Sequence, residues 1–281
     1  MNNNGVKITN KELVFLTNGS VVGLVWVYLP RALCKEAQQN AWLAVLISVL
    51  YPILSWILIE RLLRRYPGQN FYHVSRQLFG KIIGSILFIS VVIYFMLFSG
   101  TIISNFARLV KVYALPETPL SVIITVIVMC AIWVGIKGIN VTAWFDEISL
   151  YLILFLMLVY CLPIPIGDYT NLLPVGQIPW QNLGRATLQA VWAQAGVETL
   201  LVFYCLVDSP QKVIKAGFIS IGLNTLIYLW VATICVLVMG ADITQQYLWP
   251  GLTILKVSYV SVFERLEFFF LLLVFFVVSR T

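Results

Sequence analysis

The chain has 281 residues, 60% of them hydrophobic and only 11% charged, whereas a soluble domain carries about a quarter of its residues as charges. Mean hydropathy is +0.93, more apolar surface than one water-soluble core can absorb while keeping a wetted outside. The net charge of +6 sits in loops between apolar runs, where it orients a membrane protein; a soluble enzyme, a nucleic-acid binder and a disordered chain are excluded.

The first span is expected to stay in the membrane. Residues 1–12 are polar, and the apolar run that follows is interrupted by Asn18, Gly19 and Ser20 and closed by Pro30 and Arg31. No small-residue cleavage site follows it, so it is not a removable signal. Runs close to spanning length then recur, giving an all-α integral membrane protein of about eight transmembrane helices. They are expected at 12–30, 40–60, 82–105, 119–136, 147–163, 185–206, 216–239 and 262–279. Arg61, Arg64, Arg65, Arg76 and Lys81 separate the second span from the third, and Asp146 with Glu147 marks the start of the fifth. A polar stretch over 167–181 divides the fifth from the sixth, and Asp208-Ser209-Pro210 ends the sixth.

With a cytoplasmic N-terminus, 11 lysines and arginines fall inside and 7 outside. Five of those 11 lie in one short loop, where the positive-inside bias is strongest. Trp26, Tyr28, Tyr51 and Trp56 fall near span ends and read as interfacial anchors. The five cysteines are scattered and the single histidine, His73, lies in a basic loop. No metal site is expected from them, and no cofactor.

Three places carry polar groups that are expensive in a membrane. In span one, Asn18, Gly19, Ser20 and Gly23 put weak helix formers near the middle. Either the helix unwinds there against protein or a wet cavity, or the small residues form a packing face. In span six, Ala195, Gly196 and Val197 precede Glu198, read as the one acid clearly deep in a span. An unpaired carboxylate there costs about 3 kcal/mol, so it faces the bundle interior; a proton-linked switch and a structural hydrogen bond both suit it. Comparable interruptions in spans one and six point to inverted repeats, 1–163 and an incomplete 164–281, with discontinuous helices at a central site.

At the start of span eight, Glu264 and Glu267 share a helix face with Arg265 between them in sequence. They read either as a solvated cap or as an ion pair or gate, joined by Arg31 at the same side of the membrane. No catalytic nucleophile has a base at a plausible spacing, and no enzyme activity is expected.

Several stretches resemble the permease-like B subunits of spore-germination nutrient receptors. They are Gly23 to Leu29-Pro30-Arg31, Arg65-Tyr66-Pro67-Gly68, Leu78-Phe79-Gly80-Lys81, Asn171-Leu172-Leu173-Pro174-Val175 and Phe263-Glu264-Arg265-Leu266-Glu267. The resemblance covers essentially the whole chain, and its most specific parts are the last two motifs. It implies the amino acid–polyamine–organocation transporter fold, five spans plus five in inverted repeat, of which the last two are lacking here. It implies a multi-pass protein of the spore inner membrane that binds a small nutrient, such as an amino acid, and works with A and C subunits. The ligand would lie at Asn18, Gly19, Ser20 and Gly23 of span one and Ala195, Gly196, Val197 and Glu198 of span six. Two departures stand out: Val25 replaces a second glycine usual before the Leu-Pro of span one, and the chain stops at Thr281. A proton-coupled amino-acid permease and a truncated, non-functional fragment are the alternatives.

Overall fold

Helix α1 (Asn10–Val22) starts two residues ahead of the expected span because Thr9 caps it reciprocally with Glu12. The Glu12 amide donates to Thr9 Oγ1 at 3.2 Å and the Thr9 amide to Glu12 Oε2 at 2.6 Å, the capping-box arrangement. The computed structural model describes residues 7–257. The expected eighth span at 262–279 therefore lies outside the described residues, as do Glu264, Arg265 and Glu267. The chain continues through α2 (Val25–Ala37), α3 (Ala41–Ser48), α4 (Leu50–Leu63), α5 (Phe71–Tyr113), α6 (Leu120–Ile136) and α7 (Ile139–Val159). After the polar stretch come α8 (Trp180–Ala193), the short α9 (Leu200–Phe203), α10 (Val213–Gln246) and α11 (Pro250–Val257). This is an all-α membrane protein. Among the described residues, Val25–Leu63, Phe71–Tyr113, Ile139–Ile166 and Pro210–Gln246 are each long and apolar enough to cross a bilayer.

Helix α10 is the hub, packing on α1, α2, α3 and α4, while α2 also packs on α8 and α1 on α7. The α5–α6 pair stands at the periphery and presents Ile82, Met96, Leu97 and Ile136 outward. Large apolar side chains in such a continuous face suit lipid, where they cost nothing to expose.

Polar ties fix which ends lie together. Ile8 pairs with Val207, Lys7 with Asp208 at 3.3 Å and Lys11 with Glu147 at 2.8 Å. At the opposite end the Gly176 amide donates to Asn40 Oδ1 at 2.8 Å, and Arg185 approaches Glu36 at 3.9 Å. An even number of crossings between Ile8 and Val207 is what the first grouping requires. The exposed Lys11 ammonium is held above its usual pKa by the hydrogen bond to Glu147.

Both long helices reverse at a glycine. At Gly80 the segment before it folds back on the segment after it, and Ser75 Oγ donates to the Gly84 carbonyl at 3.0 Å. At Gly240 the same positions are joined in the opposite sense, Thr244 Oγ1 donating to the Cys235 carbonyl at 3.2 Å. A Cβ on Gly84 would fall 2.5 Å from Arg76 Cα, so this glycine is needed for the fold-back. The Asn171 motif belongs to the second reversal. Asn171 Nδ2 donates to the Leu237 carbonyl at 3.1 Å, and the Asp168 amide donates to the same carbonyl at 3.0 Å, satisfying an acceptor at the end of the long helical segment. Asn171→Ala is expected to lower stability by about 1 kcal/mol, read as a lower Tm of the detergent-solubilised protein. Asp168 is exposed, and hydrogen bonds from the Thr170 hydroxyl and amide hold its carboxyl below the usual range.

Three expectations need correcting. Asp146 and Glu147 do not open the fifth helix; α7 begins at Ile139 after Gly138, and Asp146 is 3% exposed well inside it. Glu198 is therefore not the one acid placed within a helical span, since Asp146 is buried inside α7; Glu60, also 3% exposed, lies near the end of α4 with Arg64 at 4.0 Å. Trp26 and Trp56 are not interfacial anchors, both being 1% exposed. Trp56 Nε1 donates to the Val213 carbonyl at 3.1 Å and its ring covers Gly217, where a Cβ would meet it at 2.0 Å.

Candidate functional site

The first expected span is two helices. Helix α1 ends at Gly23, with φ +28° and ψ −136°, and α2 starts at Val25. The interruption falls beyond Asn18, Gly19 and Ser20, which stay in regular helix: the break sits at Gly23, and the polar trio packs. Asn18 Nδ2 donates to the Val14 carbonyl at 2.8 Å and to Ser220 Oγ of α10 at 3.0 Å. Ser20 Oγ donates to the Leu16 carbonyl at 2.8 Å. Gly19 lets α7 approach so closely that a Cβ would lie 2.2 Å from Asp146 Oδ1.

The expected sixth span is broken as well. Helix α8 ends at Ala193, Gln194 and Ala195 are outside it, and the chain resumes as short turns from Val197 into α9. Gly196 has φ +114°, a region where L side chains are strained. A Cβ there would also fall 2.5 Å from the Ser20 carbonyl oxygen. The second break therefore touches the backbone of the last turn of α1, just ahead of the first break.

Tyr228 of α10 ties both. Its hydroxyl lies 2.9 Å from the Val21 carbonyl and 2.9 Å from the Ala193 carbonyl, acceptors at the ends of α1 and α8 that lose helical partners. Tyr228→Phe is expected to cost about 1–2 kcal/mol and to lower Tm while leaving helix content unchanged by circular dichroism.

Glu198 is half-buried, and both its oxygens accept. Oε2 takes the Gly196 amide at 2.7 Å and Oε1 takes the Tyr51 hydroxyl from α4. The carboxylate is thus held by its own turn and by span two, and not by Asn18 or Ser20. Ala195 and Val197 are buried beside it. Gln194 and Asn224 are fully buried, and neither side-chain amide finds a partner among the described residues.

Three cavities line the seam between these breaks and α5. The largest, about 700 Å³, is lined by Arg31, Lys35, Arg108 and Lys111 together with Glu36. Arg31 Nε donates to the Gln245 carbonyl at 3.3 Å. Tyr28 and Asn105 are shared with a second cavity of about 420 Å³ that reaches Leu24 at the first break. Phe98 is shared with a third, about 210 Å³, which touches Ser20, Gly196 and Asp146. Sequence reasoning missed Tyr51, Tyr228 and Asp146. The first two are aromatic residues of ordinary spacing, and the third carried a usable signal, an acid beside an apolar run.

A family model described as "Spore germination protein" matches residues 7–281. The chain belongs to this spore germination permease family. It is 22% identical over 278 residues to spore germination protein YndE of Bacillus subtilis (strain 168), covering 95% of this chain and 75% of that one. Spore germination protein KB of the same strain is 24% identical over 244 residues, 84% of this chain and 65% of that one. Spore germination protein GerQB of Bacillus cereus is 19% identical over 248 residues, 88% and 68% of the two chains. These matches give the chain a role in spore germination, and it spans only part of each relative's length.

Proposed function

We propose that this chain is the membrane-embedded receptor subunit that recognises a small nutrient germinant, such as an amino acid, at the meeting point of its two broken helices. The observation that carries the proposal is the contact of Gly196 with the Ser20 carbonyl, locked by Tyr228 across both breaks. Broken helices expose backbone donors and acceptors that ordinary spans use up, and a small polar solute can be bound by them. A change of tilt at the first break moves α2 against α10, and one at the second moves α8 against α2 and α3, which gives ligand binding a mechanical output. The four cations around the largest cavity attract an anionic group such as a carboxylate. In this reading the N-terminus is cytoplasmic, the protein is multi-pass in the spore inner membrane, and its partners are the A and C subunits of a receptor. The repeats proposed for 1–163 and 164–281 are supported by the paired reversals at Gly80 and Gly240.

The deciding experiment is germination of spores deleted for this gene against a panel of single nutrients. Loss of response to one nutrient class, restored by the intact gene, is the expected result; an unchanged response to every nutrient refutes the receptor reading. A proton-coupled permease is the second reading, favoured by the row of cavities sharing Tyr28, Asn105 and Phe98.

A further inference from the structure

We infer that the cavity behind Gly19 is a binding site for the ammonium group of the ligand, with Asp146 of α7 as its charged anchor. This rests on the ligand-binding reading above and names the group recognised. The cavity holds about 210 Å³, below the roughly 300 Å³ of a drug-sized pocket, so it takes a head group of few heavy atoms. Asp146 is 3% exposed, and α1 crosses its carboxylate at Gly19 with no side chain between them. At such depth a negative charge attracts a cation more strongly than it would in water.

The rest of the lining has the same chemical sense. Ser20 donates its hydroxyl proton to the Leu16 carbonyl at 2.8 Å, Thr199 to the Gly196 carbonyl at 2.6 Å and Thr142 to the Gly138 carbonyl at 3.4 Å. With their protons committed to backbone, these oxygens offer lone pairs. Phe95, Phe98 and Phe203 also line the cavity, and aromatic rings attract a cation placed over a face. Acceptors, a carboxylate and aromatic faces together select an organic ammonium over an anion or a neutral solute. Gly196 also lines this cavity, so occupancy bears directly on the second break.

The test uses the full chain in lipid nanodiscs in potassium chloride buffer, reading Tm against added ethylammonium chloride, potassium propionate, L-alanine and sodium chloride. Ethylammonium is expected to raise Tm, and propionate is not. Asp146→Asn should weaken the ethylammonium response about tenfold or more, as expected for loss of a charge-assisted hydrogen bond. Glu147→Gln, a neighbour outside the cavity lining, should leave it unchanged. Thr142→Val keeps the carboxylate and should weaken the response several-fold, which covers the case in which Asp146→Asn does not fold. Equal shifts with propionate, an undiminished ethylammonium response in folded Asp146→Asn or in Thr142→Val, or a shift reproduced by sodium chloride alone each overturn the ammonium site. So does the absence of any shift with both ethylammonium and L-alanine. The receptor reading is judged apart from this by the germination panel, so a null binding result with a positive germination result removes only the ammonium site.

Discussion

Spores carrying Gly196→Ala are expected to lose the nutrient response that this gene confers. Two effects act on the one methyl group. The backbone at φ +114° strains any L residue, and the new Cβ meets the Ser20 carbonyl oxygen at 2.5 Å. Strain and overpacking together amount to about 2–4 kcal/mol. The neighbour is backbone, so relief requires α1 and the α8–α9 turn to separate. That separation withdraws the Gly196 amide from Glu198 Oε2 and carries the Ala193 carbonyl away from Tyr228. Gly222→Ala is the matched control, because a Cβ there meets nothing within 4 Å. Immunoblots of spore membranes should show Gly222→Ala at wild-type abundance with a normal response. Gly196→Ala should be present but unresponsive. A normal response from Gly196→Ala would remove the contact of the second break with α1 from the mechanism.

Much of the fold was readable because lipid imposes long apolar runs. Leu120–Ile136 lies almost where the sequence places the fourth span, and the break in the sixth span was marked by its glycine and glutamate. Boundaries failed where a helix continues past its apolar run. Ile139 starts α7 eight residues before the expected 147 because Gly138 ends the preceding turn, and that displacement hid the burial of Asp146. In span one the sequence leaves open whether Asn18, Gly19, Ser20 and Gly23 unwind or pack. Asn18 and Ser20 satisfy themselves on helix carbonyls one turn back, so they need no unwinding, and the chain opens instead at Gly23. Long-range partners such as Tyr51 with Glu198 and Tyr228 with Val21 leave no mark in local spacing. Phenol groups near span ends look the same whether they anchor in headgroups or reach inward. The suggested pairing of Arg31 with Glu264 and Glu267 falls outside the described residues.

Substitutions at Glu198 are expected to separate sensing from transport. Both carboxylate oxygens accept a hydrogen bond, one from the Gly196 amide at 2.7 Å and one from the Tyr51 hydroxyl. Glutamine keeps one oxygen, which can stay on the Gly196 amide. Its amide nitrogen then faces Tyr51, whose hydroxyl can rotate and accept instead of donate. Glu198→Gln therefore preserves the joint between α4 and the broken segment, and a receptor built on that joint should keep most of its germination response. Glu198→Ala leaves both donors without an acceptor, a loss of about 1–3 kcal/mol for each buried group, and the response should disappear. Tyr51→Phe should fall between the two, since it frees one oxygen and leaves the Gly196 bond. A proton-coupled permease gives a different order, because glutamine cannot take up and release a proton. Uptake of labelled amino acid into vesicles under a pH gradient would then be abolished by Glu198→Gln, with binding retained. The receptor reading expects wild-type vesicles to show no gradient-driven accumulation at all. Accumulation in wild-type vesicles that Glu198→Gln abolishes would make this protein a transporter, whatever its part in germination.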